Sequence, residues 1–162
     1  MGKLLAARKM ALFLSTFEKK IDKKGRVSVP AQFRASLTEE AFGGIVVYSS
    51  FIHPCVEASG MSRIEKLSNS IDSLDPFSEE RDAFATAVLG GSSQLQFDSE
   101  GRVSLPPELL AATGIDEDVV FVGKGQTFEI WEPKKFAAYS KAARELALAK
   151  RGSLKIGGGS NA

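Results

Sequence analysis

The chain has 162 residues, 43% of them hydrophobic, and a formal net charge of +1. A chain of this length can bury one sizeable core or two small interlocked ones. Its single cysteine and single histidine, Cys55 and His53, exclude a disulfide within the chain and a structural zinc site. No apolar run is long enough to span a membrane.

The first residues have a charge pattern similar to that of a secretory signal peptide. Lys3, Arg8 and Lys9 precede an apolar run at 12–14. This run is too short and no small-residue cleavage pattern follows it, so we reject secretion. Residues 1–11 are assigned to an N-terminal leader.

The first structural unit, residues 12–59, is organised around the sequence DKKGRVSVP at 22–30. A strand is predicted over 17–21. The Asp22 carboxylate can then fold back onto the turn amides, and Gly25 can take the positive φ that closes the turn. On the return strand Arg26 and the residue two positions on point away from the neighbouring valines. Pro30 ends the strand and begins a short helix over 32–37, and a second hairpin pairs 45–48 with 55–56.

A helical connector is predicted over 60–91. Apolar residues at helical spacing run from Ile64 to Leu74, and Pro76 breaks the run. A second helix is predicted to begin near Ser78 and to end at 90–91, where two glycines follow its apolar stripe.

The turn motif returns as DSEGRVSLP at 98–106, with Asp98 lying 76 positions after Asp22. Gly101 and Arg102 repeat the places of Gly25 and Arg26. A helix over 108–112, stopped at Gly114, and strands over 119–122 and 128–131 complete this second unit, residues 92–134. Two copies of one supersecondary unit are therefore implied.

The chain is predicted to end in a helix over 135–152 and a flexible tail over 153–162. Phe136, Tyr139, Ala143 and Leu146 form a narrow apolar stripe on the helix, and part of this stripe can serve subunit contact. The tail is rich in glycine, which favours a flexible chain.

The duplicated Asp-x-x-Gly-Arg-Val-Ser-(Val/Leu)-Pro motif resembles the paired SpoVT-AbrB repeats of the MraZ family. The segments His53-Pro54-Cys55 and Phe128-Glu129-Ile130-Trp131 are similar to what that family carries after its two repeats. The resemblance covers residues 12–150. It implies a bacterial transcriptional regulator that assembles into rings and binds short repeated DNA boxes upstream of the division and cell-wall gene cluster. It also implies DNA contact through the first motif, from Asp22 to Arg26.

The two repeats differ in charge. Residues 17–34 carry six basic and two acidic side chains, a net charge of +4, whereas residues 93–110 carry one basic and three acidic side chains, a net charge of −2. A positive hairpin can approach a phosphate backbone and release its counterions. We therefore expect the first repeat to hold double-stranded DNA.

Within that repeat, Arg26 is the candidate for base readout, because a guanidinium can donate two bonds to guanine in the major groove. The remaining basic residues are predicted to contact phosphates: Lys19, Lys20, Lys23, Lys24 and Arg34. Alternatively, the lysines form a solvated edge that protects a strand from unwanted pairing.

The arginine of each motif can also form a local ion pair with the aspartate four positions before it. We expect Arg102, which has acidic surroundings, to brace its turn through Asp98. Arg26 can both brace its turn and contact DNA.

The sequence gives little support to an enzyme. A Cys55–His53 nucleophile pair is conceivable, but a rigid proline separates the two residues, and a buried cysteine is the simpler interpretation. The loop at 123–125, Gly-Lys-Gly, lacks the spacing of a phosphate loop and is interpreted as a turn. We expect no catalytic residue, metal, cofactor or small-molecule substrate.

The predicted fold class is α+β, with two hairpin-helix repeats that close into one pseudo-two-fold unit and further helices packed outside. The predicted function is a cytoplasmic, nucleoid-associated, sequence-specific repressor that acts as a ring of identical chains. The alternative is an assembly module whose hairpins bind a protein partner. Antitoxin-type regulation belongs to related single-repeat chains that carry a toxin-binding tail.

Overall fold

The computed structural model describes residues 11–157; the rest of the predicted leader and the end of the predicted tail lie outside the described residues. Each repeat contributes four strands and one short helix. Repeat 1 contains β1 (Thr16–Lys20), β2 (Arg26–Ser28), α1 (Ala31–Ala35), β3 (Gly44–Ser49) and β4 (Val56–Ser59). Repeat 2 contains β5 (Ser93–Gln96), β6 (Arg102–Ser104), α4 (Pro107–Thr113), β7 (Asp118–Gly123) and β8 (Phe128–Trp131).

Three further helical segments lie outside the repeats, two between them and one after the second. The connector forms α2 (Met61–Asp72) and α3 (Glu79–Phe84), and α3 continues into a π-helical turn at Ala85–Leu89. The predicted C-terminal helix is α5 (Pro133–Ala149), followed by a 3₁₀ turn at Arg151–Ser153. Among residues 11–157, no helix is both long enough and apolar enough to cross a bilayer.

The strands form one six-stranded antiparallel sheet and one two-stranded ribbon. The sheet has the order β1-β7-β8-β4-β3-β5, and the ribbon pairs β2 with β6. If each strand is replaced by the corresponding strand of the other repeat (β1 by β5, β3 by β7, β4 by β8), the same sheet order is obtained in reverse. The ribbon still pairs β2 with β6. The mixed α+β fold predicted from the duplicated motif is confirmed.

The strands on either side of each turn pair mainly with strands of the other repeat rather than with each other as two separate hairpins. Only one bridge, Ile21 with Val27, joins the arms of the first turn among the described residues. Beyond it, β1 pairs with β7 and β2 pairs with β6, both from the other repeat. The alternation of apolar residues specifies which face of a strand is buried, but it does not specify the partner strand.

The sheet is covered on both faces. On one face, residues of β3, β4, β7 and β8 pack with Phe33 of α1 and with Val27 and Val103 of the ribbon. On the opposite face, α2 and the π-helical turn cover Val46 of β3, and α5 covers Val120 of β7. The ribbon and α5 therefore lie on opposite sides of the sheet.

Helix ends follow their local signals. The Ser78 side chain accepts a hydrogen bond from the Arg81 amide and so caps α3, as the predicted start near Ser78 requires. Gly114 ends α4 with a φ of 78°, and Pro133 occupies the first turn of α5. The short helix of repeat 1 spans 31–35 rather than 32–37, and β4 starts one residue after Cys55.

Candidate nucleic-acid interface

The two turn motifs, at 22–30 and 98–106, meet in the ribbon. Val27 lies opposite Val103, and both are buried against the sheet. Because side chains alternate along a strand, the residues on either side of these valines face outward. Arg26 lies opposite Ser104, and Ser28 lies opposite Arg102. Two arginines and two serines therefore share the outer face of one ribbon.

The first turn is closed by a network centred on Asp22. Its Oδ1 accepts hydrogen bonds from the Lys24 amide at 2.9 Å and the Arg26 amide at 2.8 Å. Its Oδ2 accepts a bond from Arg26 Nε at 2.7 Å. Gly25 has a φ of 81°, a conformation that a residue with a β-carbon rarely adopts.

The second turn repeats this network in repeat 2. Asp98 Oδ1 accepts bonds from the Glu100 and Arg102 amides, each at 2.9 Å, and Oδ2 accepts a bond from Arg102 Nε at 2.8 Å. Gly101 has a φ of 78°. The same Asp–Arg brace is thus present in both turns, and it does not distinguish their functions.

These bonds favour the charged forms of the side chains. The Arg26 amide, with the Arg26 guanidinium and the Lys24 amide, lowers the pKa of Asp22. The Arg102 amide and guanidinium similarly lower the pKa of Asp98. The hydrogen bond to Asp98 raises the pKa of Arg102. Arg102 is thereby held as a cation on the outer face of the ribbon.

The charges beside the two arginines distinguish the turns. The exposed residues Lys23 and Lys24 stand at the places that Ser99 and Glu100 occupy in the second turn. Glu100 Oε2 lies 3.8 Å from a terminal nitrogen of Arg102. A phosphate that approaches the first turn meets two ammonium groups, whereas one that approaches the second turn meets a carboxylate.

Three predicted phosphate contacts lie away from the first turn. Lys20 pairs with Asp118 at 2.7 Å, which raises the pKa of Lys20, and it projects from β1 on the face of the sheet that α5 covers. Lys19 projects from the other face and is half-buried. Arg34 donates from Nε to the Val29 carbonyl at 3.0 Å. The structure therefore groups Lys23, Lys24 and Arg26 and separates them from the other three.

Arg34 lies over the second turn. A β-carbon built on Gly101 would come within 2.8 Å of the Arg34 guanidinium carbon. The residue at the matching place in repeat 2 is Leu110, which lies over Gly25 of the first turn. Each short helix therefore packs on the turn of the other repeat, and the +4 charge counted along residues 17–34 is divided between the two turns.

Ser28 and Ser104 are interface candidates that the sequence analysis did not select. Each faces outward from the ribbon, opposite the arginine of the other repeat. A serine hydroxyl can donate a hydrogen bond to a phosphate or to a base edge. The period-two alternation along each strand places both serines on the same face as the arginines, and this pattern in the sequence could have indicated them.

Cys55, His53 and the loop at 123–125, which the sequence analysis considered for catalysis or phosphate binding, have structural roles instead. Cys55 is 2% exposed, and burial raises the pKa of its thiol to about 12, so the sulfur stays protonated near neutral pH. The His53 ring lies 4.2 Å from Tyr139 and 5.3 Å from Trp131, centroid to centroid. The loop at 123–125 is a turn, in which the Lys124 amide donates to the Thr127 carbonyl.

Comparison with known proteins places the chain in a family. A family model described as "MraZ protein, putative antitoxin-like" matches residues 12–53 and 88–154. The transcriptional regulator MraZ of Rickettsia bellii (strain OSU 85-389) is 55% identical over 147 residues, which cover 90% of this chain and 98% of that protein. The transcriptional regulator MraZ of Pelagibacter ubique (strain HTCC1062) is 55% identical over 144 residues, 89% of this chain and 93% of that protein.

These matches span both repeats and both turns, and the family is one of transcriptional regulators rather than enzymes. The resemblance inferred from the duplicated motif is confirmed. The chain belongs to the MraZ family of transcriptional regulators.

Proposed function

We propose that the protein is a sequence-specific DNA-binding repressor that binds short repeated boxes upstream of its own gene, in the division and cell-wall gene cluster. The observation that carries this proposal is the ribbon of β2 and β6, whose outer face presents Arg26 and Arg102. A two-stranded ribbon fits the major groove of B-DNA. The protein would act in the cytoplasm, associated with the nucleoid.

Arg26 is the proposed reader of base sequence. Its bond to Asp22 uses Nε, and a guanidinium has five N–H donors, so the terminal amino groups keep four. Two of these can bond to O6 and N7 of one guanine. The carboxylate of Asp22 restricts the side chain, so less conformational entropy is lost when the base is bound.

Lys23 and Lys24 are the proposed phosphate contacts nearest to Arg26. Both are exposed and belong to the turn itself, so they can reach a backbone on either side of the groove. Lys19, Lys20 and Arg34 remain proposed contacts of the flanking DNA. For Lys20 to contact a phosphate, its bond to Asp118 must be exchanged for one to the phosphate oxygen.

Assembly into a ring is the proposed source of affinity. The ribbon is short, with three residues in each strand, so one subunit offers few base contacts. When several ribbons are linked on a closed ring, each later contact becomes intramolecular and total affinity rises. Repeated boxes in the DNA are the arrangement that such a ring can use.

A salt titration of promoter binding tests the proposal. Mobility-shift assays would compare the DNA upstream of the gene with a scrambled duplex of equal length, over a series of salt concentrations. We expect preference for the promoter and a steep fall of affinity with salt, because several phosphates release counterions. Lys24→Ala should weaken both duplexes alike and reduce the salt slope by about one.

Equal affinity for promoter and scrambled DNA, with a flat salt dependence, would contradict the proposal. That result would favour the alternative in which the ribbon binds a protein partner. A DNase protection assay on the same promoter would then show no protected boxes.

A further inference from the structure

The two ends of the six-stranded sheet carry opposite charge. We call residues 72–84 the acidic arm; it includes the end of α2 and all of α3, and these helices belong to the end of the sheet near β3 and β5. The arm has five carboxylates and one arginine, a net charge of −4. The helix α5 belongs to the other end, near β7 and β1. Residues 134–155 have seven basic side chains and one carboxylate, a net charge of +6.

An open groove lies between α5 and β1, which is the edge strand of the sheet. Its volume is about 650 Å³. Phe136, Ala137 and Leu148 contribute apolar surface, and we call this the α5 groove. Lys141 and Arg144 lie along it, together with the carboxylates Glu18 and Glu145.

The acidic arm carries two aromatic side chains that remain exposed in the described chain. Phe77, in the loop before α3, is 95% exposed. Phe84, at the end of α3, is 42% exposed, and its ring lies 6.3 Å from that of Phe51. Burying an aromatic side chain removes a large apolar area from water and is strongly favourable.

We propose that the α5 groove of one copy binds the acidic arm of the next copy, with Phe77 seated between α5 and β1. In this arrangement Glu79 and Glu80 face Lys141 and Arg144. The proposal specifies the contact of the closed assembly proposed above, and it rests on that assembly. Because the two surfaces belong to opposite ends of the same sheet, the contact joins head to tail and repeats from copy to copy.

DNA fits the α5 groove less well than a second copy does. A duplex would leave the apolar surface of Phe136 and Leu148 without a partner. The groove also opens on the face of the sheet opposite the ribbon, so a duplex whose major groove holds the ribbon cannot also fill the α5 groove.

Two charge reversals test the contact. The arm variant is Glu79→Lys/Glu80→Lys, and the groove variant is Lys141→Glu/Arg144→Glu. Each variant opposes like charges across the contact, so light scattering of each alone should give the mass of one chain, 17.4 kDa. Mixed in equal amounts, the two variants restore opposite charges at every contact, and the parent mass should return.

Two further variants separate this contact from general effects of charge and folding. Glu39→Lys/Glu108→Lys makes the same change in net charge as the arm variant, at exposed positions outside both surfaces, and should keep the parent mass. Phe77→Ser should lower the mass without lowering the melting temperature measured at low protein concentration, because Phe77 is exposed in the single chain.

Each other outcome overturns the proposal. If the parent is a single chain in solution, both this contact and the proposed ring are wrong. If the parent assembles and the charge reversals also assemble, only this contact is wrong. If the groove variant keeps the parent mass but loses affinity for a single box, the groove binds DNA instead.

Discussion

The Asp–Arg brace occurs in both turns of the ribbon, and Arg102 is therefore a matched control for Arg26. The Nε–Oδ2 distances are 2.7 Å in the first turn and 2.8 Å in the second, and both pairs are partly exposed. A structural role should respond equally to loss of either arginine. A role in DNA recognition should respond to loss of Arg26 alone, because only its turn is flanked by lysines.

We expect Arg26→Ala to remove the preference for the promoter, at a cost of about 1–3 kcal/mol for the lost bidentate contact. Arg26→Ala and Arg102→Ala should lower the melting temperature to the same degree, because each removes one Asp–Arg brace. Arg102→Ala should nevertheless leave promoter affinity near that of the parent. Mobility-shift titration and thermal unfolding, measured on both variants, check this prediction. If Arg102→Ala abolishes binding at an unchanged melting temperature, the assignment of roles is wrong.

The carboxylates of the two turns predict acid sensitivity. Asp22 and Asp98 have pKa values below the ordinary 3.8 in the folded chain, so the unfolded chain binds protons more readily. Their stabilisation is complete above that ordinary value and is lost as pH falls through it toward the folded-state pKa. In the double variant Asp22→Asn/Asp98→Asn, we expect lower stability than the parent at pH 7 and a smaller difference near pH 3.

Urea unfolding at the two pH values measures this difference. Glu39→Gln, an exposed carboxylate outside both turns, serves as the control and should show little difference from the parent at either pH. A gap between parent and double variant that is the same at both pH values would show that the charge of the carboxylates does not contribute.

At the scale of the element, each turn depends on a glycine and on the helix from the other repeat. Gly101→Ala would place a β-carbon at a φ of 78° and 2.8 Å from the Arg34 guanidinium. The left-handed conformation alone costs about 1–2 kcal/mol for a residue with a β-carbon. Moving Arg34 also weakens its bond to the Val29 carbonyl.

We therefore expect Gly101→Ala to lower the free energy of unfolding by at least the conformational cost. Gly125→Ala should show that cost alone, because Gly125 has a φ of 91° and open space around it. Gly152→Ala, in open space without a positive φ, should be nearly neutral. Urea unfolding of the three variants should rank them in this order, and equal effects of Gly101→Ala and Gly152→Ala would contradict it.

At the scale of the molecule, the repeats are not independent domains. The ladder partners of β1 and β2 are β7 and β6, which belong to the second repeat. A fragment that contains residues 12–59 would expose the edges of both strands and half of the shared core. We expect this fragment to be unfolded by circular dichroism, and the full chain to unfold in one transition.

Hydrogen exchange provides an independent check of that cooperativity. Amides of β1 and of β7 that bond across the ladder between these two strands should open with the same free energy, since each of these bonds is lost when either strand detaches. A fragment 12–59 that folds on its own, or different opening energies for these two strands, would show that the repeats are separate units.

The proposed ring also predicts how binding depends on DNA geometry. Affinity should fall sharply when one box of the promoter is scrambled, because one intramolecular contact is lost. A shift of one box by half a helical turn, about 5 base pairs, should have a similar effect, because the box then faces away from the ring. Binding that is indifferent to the number and spacing of boxes would contradict the proposed ring.

The sequence alone determined the local structure of the motif and the family. The spacing of Asp22, Gly25 and Arg26 predicted a turn with a positive φ, because carboxylate bonds to backbone amides and glycine geometry are local properties. Tertiary structure alone decided that the ribbon combines both repeats and that Arg34 lies over the second turn. Strand pairing and helix docking depend on which surfaces bury the most apolar area together. The sequences of the two motifs, which lie 76 positions apart, do not show whether each motif pairs with itself or with the other.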